Sequence, residues 1–394
     1  MKHLRRISTP RLLAIAAAIV VLAASTAAIA LAAGGSGPTP PPKPLDEAVH
    51  DALSAPKVEG VSARIQFTNS LIGESVLEGS DPLLGGASGR LWASSDGRLR
   101  LELQADVSGG GTGDSQVLID GNRFTVYDSG TETAYEGTLP SHESKDEAGE
   151  DEPPSLAQVR EGIEKASEHA NLGEAVPTDV AGQPTYTVHA SPKANGGLLG
   201  GVELAWDAGN GVPLRAAVYA RGESSPVLEL KATEVEFGPV SESVFEVEPP
   251  PGAKVVDLNP PADEAEKGEE AKPVTGLDAV QERTSFQVSA PPSLAGMERS
   301  EVRLVSSGEE AGALVTYGKG LGGIAVLELP AKPEASGGEE DELQLPSVTI
   351  DGATKGQELE TPLGTAIRFR RGGVEYAVAG SVVPALALEA AQGL

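Results

Sequence analysis

Five histidines, fifty-eight carboxylates and two glycine clusters are the residues of this sequence with the most obvious capacity for chemistry. The histidines are His3, His50, His142, His169 and His189. A helical zinc site needs two of them at i, i+4, and no such pair occurs; none stands in a finger-like spacing either. Asp46, Glu47 and His50 fall on one turn of a predicted helix and read as a solvated polar face. His142 lies beside Glu143 in an acidic stretch. Cysteine is absent, which excludes thiolate nucleophiles, disulfides and cysteine-ligated metals. A general acid–base pair of carboxylates works only where its surroundings split the two pKa values, and spacing alone cannot show that. Gly109–Gly111 followed by Thr112-Gly113, and the run Gly318–Gly323 in YGKGLGGIAV, lack the Lys-Ser/Thr and the strand-to-helix setting of a phosphate loop. Both read as turns between strands. No G-x-S-x-G elbow is present. The acidic runs lack the ligand alternation of a calcium loop. The expectation is therefore no enzyme, no catalytic residue, no metal and no cofactor. An uncharacterised hydrolase is the third of three functional alternatives.

Charge narrows the partners. Thirty Lys and Arg against 58 Asp and Glu leave a formal net charge of −28. Such a surface repels nucleic acid, whose binding rests on basic side chains neutralising phosphates, and it repels an anionic membrane surface. The N-terminus has the opposite character. Lys2, Arg5, Arg6 and Arg11 precede an uncharged run, LLAIAAAIVVLAASTAAIALAA, over residues 12–33. As a helix this run would be about 33 Å long, against a hydrocarbon core of about 30 Å. The basic cluster stays in the cytoplasm and everything after it lies outside. Residues 1–33 are thus expected to be a transmembrane helix or a signal peptide, with cleavage-like sequences at Ala28-Ile29-Ala30 and Ala30-Leu31-Ala32. The protein is then single-pass in the cell membrane with its bulk extracytoplasmic, or secreted if the segment is cut. Residues 34–44, GGSGPTPPPKP, predict an extended, semi-rigid spacer.

The remaining chain divides by composition. Residues 45–258 read as one β-rich domain. It opens on an amphipathic helix with Leu45, Ala48, Val49 and Leu53 on one face, ending before Pro56. Val61, Ala63, Ile65 and Phe67 alternate with polar residues, as do Leu99, Leu101, Leu103, Ala105 and Val107. That period of two predicts half-buried strands of an antiparallel sheet. Further strands are expected near 89–94, 116–119, 122–127, 132–137, 174–180, 183–190, 200–207, 212–221 and 226–237. Asp120-Gly121 marks a hairpin, and a phase slip near Thr233-Glu234 predicts a bulge. One helix interrupts the strands. Ser155 and Gln158 form its capping box, Leu156, Val159, Ile163, Ala166 and Ala170 its apolar face, and Gly173 its stop. Residues 142–154 are an acidic loop. Residues 259–276 are an acidic, proline-containing linker, expected to be disordered. Residues 277–394 predict a smaller α+β domain, with strands near 285–289, 301–306, 312–317, 323–329, 347–351, 364–370 and 374–380. An acidic insert, EASGGEEDELQ, lies within it. Pro384 opens its terminal helix.

The segment GGVELAWDAGNGVPLRAAVY followed by LELKATEVEFGPVSESVFEVEPPPGAKV carries a family likeness. Trp206-Asp207 precedes a turn, Pro213-Leu214 opens the next strand, and Phe237-Gly238 leads to Val244-Phe245 and Pro249-Pro250. In these features residues 45–258 resemble the LolA-like superfamily of exported carriers and sensors, which includes LolA, LolB, RseB, LprG and LppX. The C-terminal region, through ALVTYGKGLGGIAVLEL and TAIRFRRGGVEYAVAGSV, resembles an uncharacterised domain of membrane-bound sigma-factor regulators. The likeness implies a curved antiparallel sheet, a half-open barrel, with helices plugging its concave side. Lipid acyl chains or a lipoprotein would bind there, against Ile65, Phe67, Leu101, Leu103, Leu204, Trp206 and Val218. Ordinary core packing is the alternative for each of these residues. The first functional reading is a membrane-tethered lipid- or lipoprotein-binding protein. The second is an RseB-like envelope sensor that binds a partner, such as a membrane regulatory protein.

Overall fold

The computed structural model describes residues 38–71, 86–105, 114–139, 154–258, 274–307, 310–331 and 345–394. The apolar run 12–33, Gly109–Gly113, and most of the acidic stretches 142–154, 259–276 and 334–344 lie outside them. Among the described residues no helix is long and apolar enough to cross a membrane. The fold is α+β, mostly sheet, and its sheets are curved.

The period-two segments form the larger sheet. Its strands are β1 (Gly60–Asn69), β2 (Ala87–Ser94), β3 (Leu99–Ala105), β4 (Asp114–Asp120), β5 (Arg123–Asp128), β6 (Thr133–Thr138), β7 (Ala170–Leu172), β8 (Val176–Val180), β9 (Gln183–Pro192), β10 (Leu199–Asp207), β11 (Pro213–Ala220), β12 (Leu228–Phe237) and β13 (Lys254–Asp257). Their order is β13-β6-β5-β4-β3-β2-β1-β12-β11-β10-β9-β7, with β8 also on β9. The chain thus runs out along one half of the sheet and returns along the other. The expected hairpin forms at Gly121, whose φ is +61°. The expected bulge also forms: Arg64 faces Glu234 and Ile65 faces Ala232, so Thr233 is the extra residue. One strand departs from the antiparallel pattern. β13 runs parallel to β6, and its four residues are too few to show an alternation. At Gly89 two strands approach closely: a Cβ there would lie 1.9 Å from the Glu102 carbonyl oxygen. Only glycine allows that approach.

Two helices accompany this sheet: α1 (Leu45–Ser54) and α2 (Leu156–His169). Helix α1 buries Ala48 and half-buries Leu45, Val49 and Ala52, whereas Leu53 is 55% exposed and leaves the expected face. Helix α2 carries the expected capping box at Ser155 and Gln158 but buries only Val159. It stops at His169, before Gly173, because Ala170 is already extended and pairs with Pro192 of β9.

The second sheet comprises β14 (Ser293–Leu294), β15 (Met297–Ser307), β16 (Glu310–Tyr317), β17 (Ile324–Pro330), β18 (Ser347–Thr349), β19 (Lys355–Thr361), β20 (Gly364–Arg371) and β21 (Val374–Gly380), in the order 14-15-16-17-21-20-19-18. Helices α3 (Leu277–Gln281) and α4 (Pro384–Gln392) flank it. Residues 285–289, expected as a strand, form none. Their polar links go to Gln281 and Glu328 instead of a neighbouring strand. Strand β19 was not expected, because only Gly356 of its seven residues is buried.

The core of this sheet holds one carboxylate. Glu328 shares the buried face of β17 with Ile324 and Val326 and is fully buried. It accepts a hydrogen bond from the Ser289 backbone N–H at 2.9 Å, and its other oxygen has no partner. Burial pushes its pKa from 4.5 up to about 7, against the opposing pull of the Ser289 bond. The folded protein therefore holds a proton that the unfolded chain has already released between those values. The stability this contributes is complete below about 4.5 and is lost as pH rises through about 7. The shift corresponds to about 3 kcal/mol. Glu328→Gln keeps an acceptor for Ser289 and carries no charge. Its urea midpoint is expected to stay level from pH 5 to 8 while that of the parent falls. Parallel pH profiles would contradict this account.

Candidate functional site

Cross-strand register places the sequence-predicted residues on a single face of the larger sheet. Val188, Leu204, Ala216, Leu230, Phe67 and Ala87 stand opposite one another across β9, β10, β11, β12, β1 and β2. Ile65 faces Gly89, which faces Leu103. Because side chains alternate between faces, Leu101, Trp206 and Val218 belong to this face as well.

The face divides into two clusters. Ile65, Phe67, Leu101 and Leu103 are buried with Val117, Val126, Tyr135 and Leu228, and Val218 packs half-buried beside them. Leu204 and Trp206 instead join Tyr186 and Val188 in a second cluster, which α1 covers through Ala48. The structure thus gathers five of the seven candidates and sets the other two beneath a helix. Ala63, Leu91, Leu99, Phe124, Val218 and Leu230 are partly buried and pack against the first cluster. The same alternation that revealed Leu101 also marks Val117 and Leu228. Val256 of β13 joins the cluster from a strand with no sequence signal.

The opposite face carries a buried ion network. Arg215 on β11 is 9% exposed and donates to Glu203 at 2.5 Å, to Glu229 at 2.6 Å and to the Tyr219 hydroxyl at 2.9 Å. Tyr219 in turn donates to Glu203. Burial opposes the Arg215 charge, but its bonds to Glu203, Tyr219 and Glu229 outweigh that and raise its pKa. Burial and the Glu203 bond push Tyr219 up to about 12. Toward the other end of this face, the segment after β12 straps down. Phe245 is buried beneath Arg98, whose guanidinium lies 5.0 Å from the ring centre, and Arg100 donates to the Val244 carbonyl at 2.7 Å. A cavity of about 200 Å³ lies between residues 247–250 and Arg100, Leu118, Thr125 and Tyr127. The sequence marked Val244-Phe245 and Pro249-Pro250 as features of a family likeness but not these contacts, which join residues 144 positions apart in the chain. Among the described residues no group of three His, Asp or Glu side chains is placed to hold a metal ion.

No protein-family model matches the sequence, and no curated protein matches it. Solved structures align with this chain at low identity. MucB in complex with MucA(peri) aligns at 14% identity and a TM-score of 0.42, covering 89% of this chain and 97% of its own. The MucA/MucB complex of Pseudomonas aeruginosa aligns at 16% identity and 0.41, covering 88% and 96%. A LolA-superfamily protein from Nitrosomonas europaea aligns at 10% identity and 0.21, covering 52% of this chain and 98% of its own.

Proposed function

We propose that this is an exported, membrane-tethered binding protein without catalytic activity, whose apolar sheet face takes an extended apolar ligand. Lipid acyl chains, free or on a lipoprotein, are the ligand class. The observation that carries this reading is the set of partly buried apolar residues Leu91, Leu99, Phe124, Val218 and Leu230 on one sheet face, packed against a buried apolar floor. Apolar surface that the fold leaves partly uncovered offers a face for an apolar ligand. Covering it yields roughly 25 cal/mol per Å² of apolar area removed from water. Residues 45–258 and 277–394 act as two folding units in this reading, joined through 259–276.

The test is native mass spectrometry of the full chain purified from a bacterial host. A co-purifying mass in the lipid range is expected, and Leu230→Glu is expected to lose it while unfolding close to the parent temperature. A parent chain that carries no lipid, and takes up none from added vesicles, would refute the reading.

A second reading, an RseB-like sensor that binds an extended segment of a partner protein, has its own support. Strand β13 lies at the edge of the larger sheet, and its Val255 is 57% exposed. A partner segment could pair along such an edge. Pull-down of a protein rather than a lipid, abolished by Val255→Asp, would favour it.

A further inference from the structure

The prolines before α1 behave differently from a spacer. In a polyproline helix, residues three apart share a face. Pro40 is buried and Lys43 half-buried, while Pro38, Thr39, Pro41, Pro42 and Pro44 are exposed. The Tyr186 hydroxyl donates to the Pro41 carbonyl at 2.6 Å. The Lys43 ammonium lies 5.9 Å from the Tyr186 ring centre and also pairs with Asp51 of α1. Tyr186 packs 6.4 Å from Trp206, ring centre to ring centre. A tyrosine that bonds the backbone of a proline strand and lies beside its lysine is akin to a recognised mode of peptide binding, here satisfied by the chain's own segment.

We infer that Tyr186 and its neighbours form an internal dock for Pro38–Pro44, and that this dock fixes which end of the larger sheet faces the membrane. The second half of the inference rests on the membrane-tethered reading above. Only residues 34–37 separate the apolar run from Pro38. Fully extended, they span no more than about 18 Å from Ala33 to Pro38. A free proline spacer would let the domain pivot over a wide arc. A docked one holds the α1 end of the sheet within headgroup reach. Leu53 on α1, 55% exposed, lies at that end. Strands β4 and β5 lie on the far side of the sheet. A ligand leaving the bilayer would therefore meet the α1 end first.

The chain has no cysteine, so one introduced thiol labels one place. Full-length Leu53→Cys and Asn122→Cys proteins, each carrying a donor fluorophore, would be reconstituted in phosphatidylcholine vesicles containing an acceptor-labelled phosphatidylethanolamine. Energy transfer from position 53 is expected to exceed that from position 122. Adding Tyr186→Phe and Pro40→Gly is expected to abolish the difference. Equal transfer in the parent, or a difference that survives those substitutions, overturns the inference. Docking is read separately, from Trp206 emission in a Trp92→Phe background. Pro40→Gly is expected to increase its quenching by acrylamide, and unchanged quenching overturns the dock itself. If the chain does not stay on the vesicles, the tethered reading fails and the orientation with it, while the quenching result still decides whether the prolines dock.

Discussion

Leu103→Glu is expected to unfold the larger sheet rather than merely empty it of ligand. Leu103 is 2% exposed and stands on β3 among Ile65, Phe67, Leu101 and Val117. Truncating such a leucine costs about 2–5 kcal/mol. A carboxylate there has no donor among its apolar neighbours, so it must protonate or reach water. The combined cost exceeds about 4 kcal/mol, a large share of the 5–15 kcal/mol that holds an ordinary domain together. Loss of the cooperative thermal transition in circular dichroism is the expected outcome. Leu230→Glu is the contrasting case. Leu230 lies on the same face but is only partly buried, so its carboxylate can reach water. A parent-like transition for Leu103→Glu would show open space above the floor of the cluster, and the ligand would then reach deeper than Leu230.

The two leucines show what period-two alternation conveys. It assigns a face, and the face containing Ile65, Phe67, Leu101 and Leu103 was legible because every second residue is apolar. It does not say what lies above that face. Leu204 and Trp206 alternate just as well, yet α1 covers them, and the contact between Ala48 and that cluster spans more than 150 positions of sequence. Local signals with their own chemistry were legible to the residue. The Ser155–Gln158 capping box and the bulge at Thr233 are both present. Strands β13 and β19 were hidden, one too short and the other too polar to alternate. The proline segment was read as a spacer because composition shows its stiffness and not Tyr186, which lies 145 residues away. Glu328 sits at an apolar position of the alternation in β17, a clue that only the fold turns into a buried charge.

Arg215→Ala should be the most damaging substitution on the face that carries the ion network. Arg215 supplies three donors in one plane, to Glu203, Glu229 and Tyr219. The side chains of Glu203 and Glu229 are only 8% and 18% exposed. Removing the guanidinium leaves two carboxylates facing each other across β11 with one phenol hydrogen bond between them. Breaking a buried ion network at one member costs about 3–5 kcal/mol, because the remaining charge is uncompensated. Replacing the whole group together, Arg215→Met with Glu203→Gln and Glu229→Gln, removes the charges as well as the bonds. That triple variant is expected to recover much of the stability lost by Arg215→Ala. Urea unfolding of the three proteins at pH 7 separates the possibilities. A deficit that persists in the triple variant would mean that Arg215 stabilises the sheet through the packing of its alkyl stem and not through its charge.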